Sequence, residues 1–293
     1  MPDLRLRLHK DMLTVAPLFT LPLLDESFEG SECLELLNIF DDELVRETHR
    51  RFKAAGAECA ITNTLGANQT ALSAFGLEAE LVDINRAGVR LAREVGFQHI
   101  IAAAQIAEEA VLSRQVEALL SESPDALLLA GIAAASELEE AIKVVRAQTD
   151  LPLIAPAMPT EKAVEGQTVS TPELSLANGV GSGYTPDSSL RADIVYLSDL
   201  SLAESLQCLQ KMARGSTQQC LVCPSLGKPE GNTEKQRSIA LSNLADELMD
   251  FSLEVRQLGV QFVGTAAGSS PVFTGVISAA VGGLDVVGVR SRN

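Results

Sequence analysis

The sequence contains no tryptophan and only two tyrosines, Tyr184 and Tyr196, among its 293 residues. Flat aromatic side chains are what proteins use to stack nucleic acid bases, so their scarcity argues against a stacking site. Positive charge is scarce as well, because 23 lysines and arginines face 39 acidic residues, which gives a formal charge of −16. A surface of that sign repels nucleic acid and anionic membranes. We therefore expect neither as a partner.

The cysteines do not form the paired framework of a secreted, disulfide-rich domain. They number five, an odd count, and they are spread through apolar segments. This usage is typical of reduced, buried thiols, and we expect a cytoplasmic protein. No segment approaches the roughly 18 consecutive apolar residues of a membrane-spanning helix. Residues 1–5 open no long apolar segment either, so we expect no signal peptide.

Short β-rich segments alternate with helical ones along the whole chain. One helical segment is clear, because Leu81, Ile84, Gly88, Leu91 and Val95 fall on one face and Gly96 follows them. A second predicted helix begins at residues 41–43 and ends just before Gly56, and a third covers 136–147 with Ser136 as its cap. The other predicted helices are 114–120, 202–213, 238–258 and 271–281. The predicted strands are 13–19, 58–64, 99–105, 125–132, 151–157, 193–198, 219–224 and 260–265.

This alternation predicts the fold class. Strands that are apolar on both faces and separated by helices form a parallel sheet covered by helices. Eight such units in a chain of this length predict an α/β fold, a (β/α)8 TIM barrel, as a single domain over residues 1–293. A doubly wound open sheet is the competing arrangement. The segment 161–191 is rich in Gly, Ser and Pro, and we predict it to be irregular.

Three segments carry a resemblance to a known family. Residues 62–68 read Thr-Asn-Thr-Leu-Gly-Ala-Asn, residues 84–94 read Ile-Asn-Arg-Ala-Gly-Val-Arg-Leu-Ala-Arg-Glu, and residues 43–52 match upstream. Together they resemble the homocysteine S-methyltransferase family, and in particular the homocysteine-binding module of cobalamin-dependent methionine synthase. The resemblance implies a (β/α)8 barrel that transfers a methyl group to the thiol of homocysteine.

The same resemblance implies a zinc ion whose cysteine ligands are missing from the matching positions of this sequence. In the family, three cysteines hold the metal, one after the sixth strand and an adjacent pair after the eighth, and the fourth position takes the substrate sulfur. At the matching positions this chain has Asp199, Ala266 and Ala267. Zinc is expected for the family, but with its ligands absent we predict no metal and no other cofactor.

Other metal or catalytic candidates are weak. Cys220 and Cys223 form a CxxC pattern, but residues three apart on a strand point to opposite faces, so we interpret both as core. His9, His49 and His99 fall away from the carboxyl ends of the strands, where barrel active sites lie. We expect them to be structural.

The remaining polar residues at the strand ends suggest ligand binding. Asp199 is the best catalytic candidate, because it alone ionises among the strand-end residues that we can place. Residues 268–271, Gly-Ser-Ser-Pro, predict a helix start whose free N–H groups attract carboxylate or phosphate; alternatively the serine only caps the helix. The predicted ligand-binding residues are Asn63, Thr64, Asp199, Gly268, Ser269 and Ser270.

Three hypotheses for function follow. The leading one is a catalytically degenerate barrel, a pseudoenzyme of methionine metabolism, which binds a small amino-acid-like or anionic ligand or serves as a partner subunit of a corrinoid or methyltransferase protein. The second is an active, zinc-independent S-methyltransferase that uses a corrinoid, folate or sulfonium donor. The third is a purely structural or regulatory barrel whose mouth is closed by Leu18, Phe19, Leu65 and Met158.

Overall fold

The structure, a computed structural model, describes residues 4–8, 10–17, 33–131, 135–156, 158–159, 174–175, 192–213, 219–226 and 233–284. Eight strands in these residues form a closed barrel in which each pair of neighbours runs parallel. The closure confirms the predicted TIM barrel, and the alternative of an open sheet is wrong. The strands are β1 (Leu13–Ala16), β2 (Cys59–Ile61), β3 (His99–Gln105), β4 (Ala126–Ala130), β5 (Leu153–Pro156), β6 (Ile194–Ser198), β7 (Gln219–Cys223) and β8 (Phe262–Val263).

Helices lie between the strands and cover the outside of the barrel. Their ends carry the expected local signals: Asp41 accepts a hydrogen bond from the Leu44 N–H at the start of one helix, and Gly96 adopts φ = +85° at the end of another. The described helices are α1 (Leu4–Arg7), α2 (Leu37–Phe40), α3 (Asp42–Ala54), α4 (Gln69–Ser73), α5 (Leu81–Val95), α6 (Glu109–Leu120), α7 (Ala135–Arg146), α8 (Leu202–Ala213), α9 (Glu234–Gln257) and α10 (Pro271–Val281).

Three helix starts differ from the prediction. Helix α6 begins at Glu109 instead of residue 114, since Val111 and Leu112 already pack in the core. Helix α7 begins at Ala135, so Ser136 lies inside its first turn and is not its cap. Helix α9 begins at Glu234 because Thr233 and Gln236 form a capping box.

The strands alternate between two cores. Residues that point inward fill the barrel, and the residues between them pack against the helices. The interior cluster consists of Leu4, Leu13, Val15, Cys59, Ile61, Ile101, Ala103, Ala126, Leu128, Ala130, Ile154, Ile194, Tyr196, Leu221, Cys223 and Phe262.

The amino-terminal end of the barrel is covered. Leu4 is buried in the interior cluster and Leu8 packs against it. The Gln261 amide donates to the backbone carbonyls of Arg7 and Asp11, which fastens this segment below the strands. These described residues close the amino-terminal end, so we look for a ligand site at the opposite end, where the carboxyl ends of the strands meet.

Part of the prediction falls on residues that the structure does not describe. The segment 161–191, predicted to be irregular, lies outside the described residues except for Leu174–Ser175, which pairs antiparallel with Met158–Pro159. His9, Leu18 and Phe19 also lie outside them. Among the described helices, none combines the length and apolar character required to cross a membrane.

Candidate functional site

The candidate site is the mouth of the barrel, the end at which all eight strands finish. Its polar residues lie on two sides, one after β2 and one after β6, β7 and β8, which are neighbours in the barrel. No lysine or arginine occurs in the described segments 62–68, 106–108, 199–201, 224–226 and 264–270 that follow strands. These segments thus offer an anionic ligand no basic side chain.

The side after β2 is organised by Asn63 and Thr64, two of the predicted ligand-binding residues. The Asn63 amide donates to the Leu34 carbonyl at 2.8 Å and to Asn38 Oδ1 at 3.1 Å, which uses both of its N–H groups. The Thr64 hydroxyl lies 2.7 Å from the Ala103 carbonyl and 2.7 Å from the hydroxyl of Thr62. Both side chains therefore bond within the scaffold.

Buried amides from other elements hold the same loop in place. Asn85 on α5 donates to the Ala67 carbonyl at 2.6 Å, and Gln115 on α6 donates to the Thr64 carbonyl at 2.7 Å. Gly88 lets α5 approach closely, because a Cβ there would collide with the methyl group of Thr64. The segments 62–68 and 84–94, which carry the family resemblance, are thus one packed unit of the scaffold.

Asp199, the best catalytic candidate, lies at the other side, directly after β6. Its side chain is exposed, and its Oδ2 accepts a 2.8 Å hydrogen bond from the Ser198 hydroxyl. Its backbone adopts φ = +61°, a left-handed conformation that Asp tolerates better than most residues. This turn places a carboxylate at the rim of the barrel.

Two residues beneath Asp199 were not predicted as part of this site. Tyr196 and Cys223 belong to the interior cluster, and Cys223 pairs in register with Ser198. Burial raises the pKa of both groups, and the negative charge of Asp199 raises both pKa values further. Both groups stay protonated at neutral pH. The alternation along β6 and β7 was the signal that would have identified them.

The CxxC prediction is confirmed by this arrangement. Cys220 packs in the outer cluster between strands and helices, whereas Cys223 packs inside the barrel. His49 lies on α3 and His99 at the first residue of β3, both buried and away from the mouth.

The segment after β8 supplies methyl groups where the family has sulfur. The Ala266 N–H donates to the Pro224 carbonyl at 3.0 Å, so the chain continues alongside β7; Ala266 is buried and Ala267 is exposed. Gly264 fits tightly, since a Cβ there would lie 2.8 Å from the Val15 carbonyl oxygen and 3.1 Å from Cys223 Sγ.

These residues do not fit a zinc ion. A catalytic zinc site needs three protein donors, whereas Asp199 offers one carboxylate and the two alanines offer none. Cys223 lies on the neighbouring strand, in register with Ser198, and burial raises the pKa of its thiol. In the part of the chain that the structure describes, no group of three or more His, Cys, Asp or Glu side chains is placed to hold a metal.

At the start of α10, where the sequence predicts an anion site, Ser270 caps the helix. Ser270 accepts from the Val272 N–H at 3.3 Å, and the Phe273 N–H donates to the Ser270 carbonyl at 3.1 Å. The Ser269 N–H donates to the Ala266 carbonyl, and Gly268 turns the chain with φ = +89°. The N–H groups of Ser269, Val272 and Phe273 thus already have partners within the turn.

Sequence comparisons find similarity to two methionine synthases. Methionine synthase of Mycobacterium tuberculosis (strain ATCC 25618 / H37Rv) is 23% identical over 88% of this chain, which covers 23% of that protein. Methionine synthase of Mycobacterium leprae (strain TN) is 34% identical over 24% of the chain and 6% of that protein. The chain therefore spans at most about a quarter of the length of these relatives.

Solved structures and a family model agree with this relationship. The oxidized form of the homocysteine methyltransferase MmuM from Escherichia coli superposes with a TM-score of 0.71 at 19% identity, covering 95% of this chain and 99% of that one. Its metallated form gives 0.70 at 18% identity, over 94% and 99% of the two chains. Such low identity establishes the fold alone. The homocysteine S-methyltransferase model, however, matches residues 14–281, so this chain belongs to the homocysteine S-methyltransferase family.

Proposed function

We propose that this protein is a homocysteine S-methyltransferase-family barrel that does not use zinc-thiolate chemistry and instead binds a small amino-acid-like ligand at its mouth, within methionine metabolism. The observation that carries the proposal is the donor set at the three family positions: Asp199, Ala266 and Ala267. They replace three sulfur donors with one carboxylate and two methyl groups.

The charge of the mouth favours the amino-acid-like ligand over a simple anion. Asp199 carries an exposed carboxylate, and the described segments after the strands hold no basic side chain. An ammonium group would donate a charge-assisted hydrogen bond to Asp199, whereas a phosphate would find the Val272 N–H at the start of α10 already bonded to Ser270. We infer that Asp199 binds the amino group of the ligand.

Methyl transfer by the family mechanism would be slow here. A free thiol with a pKa of about 8.5 is roughly 3% ionised at pH 7, which costs about thirtyfold in rate. A carboxylate nearby raises a thiol pKa further, as Asp199 does for Cys223. The greater loss is the position of the sulfur, which no metal would fix. These costs support a catalytically degenerate, ligand-binding role. The protein would bind its ligand alone or as a partner subunit of a corrinoid or methyltransferase protein.

The first experiment measures metal and ligand binding on protein purified from zinc-supplemented medium. We expect no stoichiometric zinc, a thermal shift with homocysteine or methionine, and little shift with 3-mercaptopropionate, which lacks the amino group. Asp199→Asn keeps the size of the side chain and should remove the preference for the amine. One tightly bound zinc per chain would overturn the first part of the proposal, and equal binding of the amine-free analogue would overturn the second.

The second experiment restores the donors. Asp199→Cys, Ala266→Cys and Ala267→Cys combined should give a chain that binds zinc, and the Ala266→Cys/Ala267→Cys variant is the matched control with two donors. A triple variant that folds and binds no more zinc than the control would show that these positions do not converge. Turnover of homocysteine with a corrinoid, folate or sulfonium donor, lost in Asp199→Ala, would instead establish a zinc-independent methyltransferase.

A further inference from the structure

Helix α9 carries a regular stripe of exposed side chains on its outward face. Its opposite face is buried in the outer core through Leu248, Phe251 and Val255. Three apolar members of the stripe, Ile239, Met249 and Leu253, are respectively 52%, 39% and 42% exposed. The α9 stripe, as we define it, consists of Lys235, Ile239, Ser242, Asp246, Met249 and Leu253.

The spacing of the stripe is that of a helix–helix contact. Its residues alternate at intervals of four and three, which is the seam of a two-stranded coiled coil. Single exposed apolar residues are ordinary on a protein surface, but Ile239, Met249 and Leu253 share one face of this 24-residue helix, and such a face is suited to contact with a second helix.

We propose that the α9 stripe is the contact between two copies of this chain, paired antiparallel about a twofold axis. The charges of the helix differ in sign between its halves: residues 234–245 hold two basic side chains, one of them Lys235 on the stripe, and one acidic side chain, whereas residues 246–257 hold four acidic side chains and one basic one. An antiparallel pair sets the basic end of each helix against the acidic end of the other. The same arrangement opposes the two helix dipoles favourably.

The residue types also fix the register. Centring the pair on position 244 sets Ile239 against Met249 and Ser242 against Asp246. It also sets Lys235 against Leu253, which the apolar stem of the lysine can cover. Lys235 then reaches Asp250 of the other copy. Centring it on 246 would instead bring the two Asp246 carboxylates together, which like-charge repulsion disfavours.

The size of the contact sets its strength. A helix of 24 residues is roughly 36 Å long and about 10 Å wide, so the seam buries less than the roughly 800 Å² per partner of a standard interface. We therefore expect a dimer with a dissociation constant in the micromolar range. This proposal does not depend on what the barrel mouth binds.

Sedimentation velocity over a concentration series tests the dimer. The full chain should shift from monomer to dimer with increasing concentration, and Ile239→Lys should abolish the shift. Lys10→Glu is the control, because it is an exposed charge reversal outside α9. A chain that stays monomeric at every concentration would overturn the proposal, as would a dimer that Ile239→Lys leaves intact.

A charge swap tests the antiparallel register. Lys235→Glu should raise the dissociation constant about tenfold, since it converts two attractive contacts into repulsive ones. Lys235→Glu combined with Asp250→Lys should restore the original value only in the antiparallel register, because a parallel pair would set like residues opposite each other. Circular dichroism confirms that each variant is folded. A double variant weaker than the single one would refute the register.

Discussion

The buried histidine of α3 should make the stability of this protein depend on pH. His49 is 3% exposed, and its ring lies edge-on to Phe97 with the centroids 5.7 Å apart. Burial lowers the pKa of His49 from 6.5 to about 4. The unfolded chain therefore takes up this proton at a higher pH than the folded chain does, and acid favours unfolding.

The size of the effect follows from the shift. The stability that the neutral, buried His49 contributes is fully present above about pH 6.5 and declines as the pH falls toward 4. Each unit in that window costs about 1.4 kcal/mol, so the loss approaches about 3 kcal/mol by pH 4. Below the folded pKa, both states bind the proton and His49 causes no further loss.

Urea denaturation of the native chain and of His49→Gln at several pH values between about 7 and 4 measures this loss. The variant should be less stable near pH 7, because a packed ring is removed, but it should lose about 3 kcal/mol less on acidification. Other titrating groups affect both proteins equally. The difference between the two slopes of unfolding free energy against pH therefore isolates the effect of His49. Equal slopes would refute the reasoning.

Three other experiments test the packing of the barrel. Gly264→Ala should lower the free energy of unfolding by about 1–3 kcal/mol in urea denaturation, because the new methyl would lie 2.8 Å from the Val15 carbonyl oxygen; an unchanged value would contradict the close packing. Asp199→Gly should be about 1 kcal/mol more stable than Asp199→Ala, since φ is +61° there, and equal stabilities would show that the turn is relaxed. A thiol reagent should modify only Cys33 in the native protein and all five cysteines after unfolding, because the other four are buried; a second fast-reacting thiol would contradict that burial.

Elements with strong local signals were predictable from the sequence. Helix α5 begins at Leu81 and ends at Val95, as its apolar period and Gly96 indicate, and β3 has the predicted bounds. The start of α7 was predicted wrongly: Ser136 is a good cap residue in isolation, but the helix begins one residue before it, at Ala135. Whether such a residue caps or lies inside a helix depends on where the preceding chain comes from, and one segment does not encode that.

The resemblance itself came mostly from scaffold residues. Segments 62–68 and 84–94 carry much of the resemblance. Within them, Asn63, Thr64, Asn85 and Gly88 hold β2, α5 and the loop between them together. Such residues identify a family through its packing and say little about its chemistry.

The sequence by itself determined the barrel and the loss of the sulfur donors, because strand and helix periods are local and an alanine has no donor atom in any fold. The tertiary structure alone decided which polar residues remain open to a ligand. The bonds that occupy Asn63 come from Leu34 and Asn38, and the neighbour of Asp199 is Cys223 on the next strand. Hydrogen bonds and burial join residues that are distant in the chain, so the free groups of the mouth are known only once the barrel closes.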